Sequence, residues 1–220
     1  MARSCCLAGS AVALIVLVAA APAEARKIGK CTIPRGAQLH ERSKASVVFE
    51  LDSDFEGDTT GDVYGCLRRI GQRVHLTSTY DNNDEWDLVG QFKSAQHYVA
   101  WVEDSADHYG NEGREVHAFN LRTRRERWSS PLGVNGGPLS GNRTAAEVDK
   151  LVLAPTGHFA YVSGWFTNES NTEQHQVRAR DGTGDHTLDQ ATSIQPRSLN
   201  RHGMTITWVD AGQTRSYTFR

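Results

Sequence analysis

Outside its first 25 residues, the chain carries short runs rich in valine, tyrosine, phenylalanine, tryptophan and threonine. Clusters of glycine, asparagine, aspartate and serine separate these runs, and an apolar period of 3.6 residues is hard to find. Runs of β-branched and aromatic residues bounded in this way are typical of strands joined by turns. The pattern therefore predicts an all-β protein.

Four of these runs superpose on one another, which indicates an internal repeat. The shifts that align the runs also superpose Leu39 on Phe92. They superpose VYGC (63–66) on VHAF (116–119) and VRAR (177–180), so separated segments keep one register. The four runs are ASVVFE (45–50), YVAWVE (98–103), FAYVSG (159–164) and TITWVD (205–210).

We interpret each unit as four strands, a to d, in which the repeat run is strand b. Four strands in roughly 40–60 residues is the pattern of a propeller blade, because stacked blades bury each other's apolar faces. The sequence thus predicts a propeller-like fold of about four blades. The fourth unit ends with TRSYTF (214–219), so KIGKCTI (27–33) is expected to supply its missing strand and close the ring. A β-sandwich of similar strand count is the alternative.

The repeat resembles WD-type and TolB-type β-propeller proteins. The chain is also similar to exported propeller-like proteins of actinobacteria, in which a PRG sequence near a cysteine precedes a YGCLR strand. The matching elements here are Cys31 with Pro34-Arg35-Gly36, and Tyr64-Gly65-Cys66-Leu67-Arg68. The resemblance implies the fold over most of 31–220 and implies no activity, because propellers serve many unrelated functions.

The first 25 residues have the pattern of a secretory signal peptide. Arg3 gives a short positive start, residues 7–21 are apolar, and Ala23-Glu24-Ala25 provides a cleavage site of small residues. A membrane anchor, the alternative, needs about 20 apolar residues, which is more than this stretch has. We therefore expect a secreted or cell-envelope protein with a single domain over 26–220 and no membrane span in the mature chain.

The predicted mature chain keeps two cysteines, Cys31 and Cys66. An even count in an exported chain predicts a disulfide, and two buried free thiols are the alternative. Closing a loop of this length stabilises a fold by roughly 4 kcal/mol on the chain-entropy model.

Composition and charge narrow the functional classes. The chain has 220 residues, of which 38% are hydrophobic and 23% are charged, and its formal net charge is -2. This length and apolar content predict a sizeable core and exclude wholesale disorder. The near-neutral charge lacks the positive footprint on which phosphate binding depends, so we expect no nucleic-acid partner.

The predicted loops divide by charge between the two faces of a propeller. The b–c and d–a connections of one face contain no lysine or arginine; they are 51–62, 77–87, 104–113 and 164–174. The turns of the other face carry Arg42, Lys44, Arg68, Arg69, Arg73, Lys93, Arg122, Arg124, Arg125 and Arg201. Clustered like charge steers partners of opposite charge, although turn chemistry alone also enriches loops in aspartate.

The acidic face supplies the candidate binding residues. They are Asp52, Asp54, Glu56, Asp58, Asp81, Asp84, Glu85, Asp104, Asp107 and His108. Asp52, Asp54 and Glu56 also resemble the start of a calcium loop, but the residue at its twelfth position is Val63 instead of an acid. We expect no cofactor, with calcium at these three residues as the alternative to a solvated acidic turn.

No catalytic motif stands out in the chain. The histidines lack the His-Glu-x-x-His spacing of zinc hydrolases, and no Gly-x-Ser-x-Gly elbow occurs. Trp165 begins a predicted loop and is expected to be exposed, whereas Trp101 and Trp208 align on strand b and are expected in the core.

Two functions from different classes fit these observations. The first is a non-enzymatic binding or scaffold protein that recognises a protein, peptide or cell-envelope component through its acidic face. The second is an extracellular glycan-active hydrolase or lyase that uses carboxylates on that face. A structural envelope protein without a small-molecule site is a third reading, and the oligomeric state stays open.

Overall fold

The alternating runs form antiparallel strands in a computed structural model of the protein, which describes residues 25–55, 58–81, 86–106, 112–132, 147–167 and 172–220. Every strand pair in this part of the chain is antiparallel. The prediction of an all-β protein is confirmed. The predicted signal peptide lies outside the described residues, apart from Ala25.

The strands follow one another as a hairpin and four consecutive units. The hairpin is β1 (Arg26–Ile28) and β2 (Cys31–Ile33). Unit 1 comprises β3 (Gln38–Arg42), β4 (Ser46–Phe55), β5 (Asp58–Leu67) and β6 (Arg73–Asp81). Unit 2 comprises β7 (Trp86–Ala95), β8 (Tyr98–Ala106), β9 (Glu112–Asn120) and β10 (Arg125–Pro131). Unit 3 comprises β11 (Glu147–Leu153), β12 (Phe159–Thr167), β13 (Thr172–Asp181) and β14 (Gly184–Ala191), and unit 4 comprises β15 (Asn200–His202), β16 (Thr205–Asp210) and β17 (Gln213–Thr218).

Each superposed run lies in the second strand of its unit, namely β4, β8, β12 or β16. Neighbours in sequence are neighbours in the sheet throughout each unit. Units 1 and 2 also join into one eight-stranded sheet, through only two residue pairs between β6 and β7. A turn of 3-10 helix, Pro196–Ser198, connects unit 3 to unit 4.

Apolar side chains fill the spaces between successive layers. Because alternate residues of a strand point to opposite faces, Val99 and Trp101 of β8 pack toward unit 1 while Ala100 and Val102 pack toward unit 3. Burial on both faces explains why the second strands are almost continuously apolar. Four apolar clusters result. The hairpin meets unit 1 at Ile33 and Phe49, and unit 1 meets unit 2 at Val48 and Trp101. Unit 2 meets unit 3 at Val102 and Tyr161, and unit 3 meets unit 4 at Val162 and Trp208.

The expectation that residues 27–33 complete the last unit is wrong. These residues pair with one another in the β1–β2 hairpin, whose Ile28 and Ile33 pack on the outer face of unit 1. The turn between the two strands contains Gly29 at a φ of 64°, a conformation that glycine adopts without strain. Within the described residues, β17 is an edge strand and the sheets do not join into a closed ring.

A disulfide joins Cys31 of β2 to Cys66 of β5. Both cysteines are buried in the layer between the hairpin and unit 1. The bond therefore fixes the hairpin against the first sheet of the stack. Disulfides of this kind form and persist in oxidising environments.

In the part of the chain that the structure describes, no helix has the length and apolar character needed to cross a membrane.

Candidate functional site

The acid-rich connections of units 1 and 2 lie at one edge of the shared sheet. A single row of paired residues crosses six strands, from Asp54 through Thr59, Asp81, Trp86 and Ala106 to Glu112. In an antiparallel meander successive turns alternate between two ends, so the connections beyond this row share one end. We name this the acidic end, and the end that carries the turns 43–45, 68–72 and 121–124 the basic end.

The predicted loops of the acidic end are mostly strand. The ladder between β4 and β5 continues to the pair Phe55 and Asp58, so residues 51–55 and 58–62 are paired strand instead of loop. The ladder persists because backbone pairing needs no apolar side chains, and Asp52 there is exposed to water.

The ten predicted binding residues fall into three groups. Asp52 and Asp81 are exposed, and the backbones of Asp54 and Asp58 lie in β4 and β5 near the hairpin tip. The Asp104 carboxylate forms an ion pair with Arg114, with 2.9 Å between Nη2 and Oδ2. Those that lie outside the described residues are Glu56, Asp84, Glu85, Asp107 and His108.

The calcium hypothesis stays a prediction. Asp52 lies in the extended strand β4, and Glu56 is outside the described residues. Among the residues that are described, no group of three or more His, Cys, Asp or Glu side chains is placed to hold a metal ion.

Three of the four repeat runs end on an acid that connects neighbouring strands. In unit 2, the Glu103 carboxylate accepts hydrogen bonds from Thr77 Oγ1 of unit 1, at 3.1 Å, and from Trp101 Nε1, at 3.2 Å. In unit 4, Asp210 accepts a 2.6 Å bond from Ser193 Oγ, which follows the last strand of unit 3. In units 2 and 4, the acid at this position therefore ties the end of the preceding unit to the second strand of its own unit.

Unit 1 uses the same repeat position within its own sheet. The Glu50 carboxylate accepts a 2.7 Å bond from Thr79 Oγ1 of β6 and lies 2.7 Å from His40 Nε2 of β3. Its side chain is mostly buried. A hydrogen-bonded carboxylate in such a setting stabilises the sheet more than an exposed ion pair does.

Unit 3 departs from this pattern, because Gly164 takes the position of the acid. His175 of β13 is the cross-strand partner of Gly164, and a Cβ atom at residue 164 would lie 2.9 Å from His175 Nδ1 and 2.9 Å from Glu173 Oε1. The missing side chain thus leaves the space that His175 and Glu173 occupy.

Two carboxylates flank the His175 imidazole. Nδ1 lies 3.5 Å from Asp149 Oδ2, and Nε2 lies 3.7 Å from Glu173 Oε2. The histidine side chain is only 7% exposed, and its Nδ1 has no hydrogen-bond partner among the described residues. Asp149 is the unpaired residue of a bulge between β11 and β12, a feature that redirects a side chain. We name Asp149, Glu173 and His175 the His175 site.

A cavity of about 740 Å³ opens in front of the two carboxylates. Its remaining wall is the connection from unit 3 to unit 4, which presents hydroxyl and amide groups and a single cation. These residues are Thr192, Ser193, Ile194, Gln195, Pro196, Arg197 and Ser198. Because this wall follows the last residue of β14, the cavity lies at the acidic end.

Burial raises the pKa of Asp149 above its ordinary value. The charge of His175 opposes this rise, whereas Glu173 and Glu147 add to it by repulsion between like charges. The net effect is that the surroundings of Asp149 disfavour its charged form, and His175 offsets only part of that effect.

A second histidine, which lies within the β8–β9 ladder and not at the acidic end, is surrounded by carboxylates. His117 of β9 stacks on Trp101 with 5.2 Å between ring centroids. Its Nδ1 lies 2.6 Å from Glu126 Oε1, and its Nε2 lies 3.6 Å from Glu115 Oε2. The His117 side chain is mostly buried, whereas Glu115 and Glu126 are about half exposed.

The expectation for Trp165 is wrong, whereas those for Trp101 and Trp208 hold. Trp165 is 3% exposed because the strand that it was expected to follow, β12, continues to Thr167. Trp101 and Trp208 are both buried. An aromatic platform for a sugar is therefore not provided by any of these three residues.

Sequence reasoning missed all three members of the His175 site. Asp149 lies on β11, whereas Glu173 and His175 lie on β13, at least 24 positions further along the chain, and none belongs to a recognised motif. The sequence did contain one signal. At the repeat position where the other three units have Glu50, Glu103 and Asp210, unit 3 has Gly164.

No protein-family model matches the chain, and a search of curated proteins found no match.

Proposed function

We propose that this protein is an exported, propeller-like binding protein whose acidic end recognises a cationic group of a protein, peptide or cell-envelope component. The observation that carries the proposal is the cavity beside Asp149 and Glu173, which combines two carboxylates with a polar wall. The protein acts by holding its ligand and performs no reaction.

The propeller-like architecture is supported by the order of the layers. Each unit packs face to face on the next through its own apolar cluster, as successive blades do. The first strands β3, β7, β11 and β15 also contact one another in sequence, as the innermost strands around a common axis would. On this proposal the hairpin of 26–33 covers the first face of the stack instead of closing the ring.

Export is supported by two independent features. The predicted signal peptide directs the chain out of the cytoplasm, and the buried Cys31–Cys66 disulfide suits an oxidising compartment. The proposal therefore places the acidic end where it meets partners outside the cytoplasm.

A cationic ligand fits the His175 site on charge and hydrogen bonding. Two carboxylates outnumber the single guanidinium of Arg197 in the cavity, and ammonium or guanidinium groups form short, charge-assisted bonds with carboxylates. His175 holds both acids from behind and acts as a positioning residue. The acid-rich connections at the same end raise the local concentration of cations at low salt.

The test is calorimetric titration of the full mature chain with trilysine and with triglutamate at pH 7 and low salt. Trilysine should bind more tightly, and Glu173→Gln should weaken it about tenfold by removing a charge-assisted bond. The matched control is Asp185→Asn, which removes one carboxylate at the opposite end and should leave the affinity within about twofold. Equal binding of trilysine and triglutamate would overturn the proposal.

The alternative function, a glycan-active hydrolase, is favoured by one observation. Glycoside hydrolysis needs a general acid with a raised pKa next to a second carboxylate, and Asp149 beside Glu173 meets both conditions. Release of reducing ends from soluble polysaccharides, abolished by both Asp149→Asn and Glu173→Gln, would replace the binding proposal with this one. Trilysine binding without any such release would reject it.

A further inference from the structure

The first strands of the four units converge on a small pocket that is separate from the His175 site. The pocket has a volume of about 300 Å³ and is lined by one stretch of each of β3, β7 and β11 and by the start of β15. Leu151, Leu153 and Leu199 form an apolar floor that is buried. Polar and charged groups of the same strands form its rim.

Three cations of the rim come from three different units. They are Lys93 of β7, Lys150 of β11 and Arg201 of β15, and all three are half-buried. Glu41 of β3 is the single acid of the lining, and its carboxylate accepts a 3.2 Å hydrogen bond from Ser94 Oγ. The rim therefore has an excess of two positive charges in a chain whose formal net charge is -2.

Two of these cations have no side-chain partner among the residues that the structure describes. Neither the Lys93 nor the Lys150 ammonium forms an ion pair within the described ranges, whereas Arg201 donates from Nη1 to the Gly203 carbonyl at 2.8 Å. Half-buried ammonium groups that repel one another are stabilised by an anion between them. A bound anion would therefore explain why unpaired cations from separate strands line one pocket.

The position of the pocket favours anions as well. Lys93 and Arg201 lie a few residues before the turns 96–97 and 203–204, which belong to the basic end. Exposed cations of that end, among them Arg42, Arg122 and Arg124, contribute to the same local potential. The lining also contains the Asn200 side-chain amide, which is a further hydrogen-bond donor for an oxyanion, whereas the Ser94 hydroxyl already donates to Glu41.

We propose that this pocket binds a small oxyanion with at least two negative charges, such as phosphate, through Lys93, Lys150 and Arg201. The ligand sits between units 2, 3 and 4 and links their innermost strands. The site does not depend on the function proposed for the acidic end, because the two cavities share no lining residue and take ligands of opposite charge.

The test is calorimetric titration of the full mature chain with inorganic phosphate at pH 7.5, with chloride at equal ionic strength as the reference. Phosphate should bind, and Lys93→Gln and Lys150→Gln should each weaken it about tenfold, whereas Lys93→Arg should keep most of the affinity. Lys44→Gln is the matched control, since Lys44 is an exposed lysine in a turn of the same end, and it should change the affinity less than twofold.

Thermal unfolding of each variant separates lost binding from lost folding. A folded Lys150→Gln variant that no longer gains thermal stability from phosphate supports the site, because a ligand of the native state raises the unfolding temperature. Phosphate binding no stronger than chloride binding overturns the proposal, and so does a loss in Lys44→Gln equal to that in Lys93→Gln. Neither result would affect trilysine binding at the acidic end.

Discussion

Units 2 and 3 place opposite kinds of residue at the same position of the repeat. In unit 2, Glu103 fills the position and accepts hydrogen bonds from a neighbouring unit. In unit 3, Gly164 leaves the position empty, and the freed space holds His175 and Glu173. A repeat position whose side chain joins two units in one place can therefore leave room for a site in another, where the residue is glycine.

The largest expected effect comes from restoring the acid in unit 3. Gly164→Glu should destabilise the fold by about 3 kcal/mol, because the new side chain collides with His175 and adds a like charge beside Glu173 and Asp149. The measurement is the free energy of unfolding in urea. Gly90→Ala is the control, since a Cβ atom there meets nothing within 4 Å. A Gly164→Glu variant as stable as the natural chain would mean that the glycine is not needed for space.

Removing the acid from unit 2 should have the next largest effect. Glu103→Ala should cost about 2 kcal/mol, because it leaves the buried Trp101 Nε1 without its acceptor and breaks the bond from Thr77. Urea unfolding again measures the loss. Glu115→Ala removes a more exposed carboxylate from the same strand pair and should cost less than about 0.5 kcal/mol. Equal losses in the two variants would contradict a cohesive role for Glu103.

The smallest effect is a difference in pH dependence between units 3 and 4. Burial raises the pKa of Asp149, so its contribution to stability is full below the ordinary value of 3.8 and is lost as the pH rises through the folded-state pKa. The bond from Ser193 lowers the pKa of Asp210, so its contribution is present above 3.8 and is lost as the pH falls through the folded-state pKa.

Two substitutions separate these opposite trends. Relative to the natural chain, Asp149→Asn should gain stability between pH 4 and pH 7, whereas Asp210→Asn should lose stability over the same interval. Urea unfolding at several pH values within that interval measures both. Parallel pH profiles for the two variants would show that their carboxyl groups do not differ as the structure indicates.

The repeat was accessible to sequence reasoning because its signal is local. The runs at 45–50, 98–103, 159–164 and 205–210 are apolar at most of the positions that face a neighbouring layer, and turn residues bound them. The disulfide was predictable for a similar reason, since the two cysteines of the predicted mature chain have only one intramolecular pairing.

The pairing of 26–33 and the length of the strands were not accessible in this way. A short segment such as Lys27–Ile33, with its few apolar residues, fits any open apolar face of a sheet, and its pairing depends on which face the folded chain leaves open. The continuation of β4 and β5 through Asp52 and Asp62 depends on backbone pairing, which polar side chains neither require nor forbid.

By itself, the sequence determined that this chain is built from repeated antiparallel strands, that two cysteines pair, and that acidic and basic connections alternate along it. Periodicity, turn residues and charge clusters depend on residues close together in the sequence, so they can be recognised without coordinates. The tertiary structure alone decided that Asp149, Glu173 and His175 meet in front of a cavity, and that Lys93, Lys150 and Arg201 surround a pocket. These groups come from different strands, and their proximity depends on how the sheets stack and where a bulge or a glycine makes room.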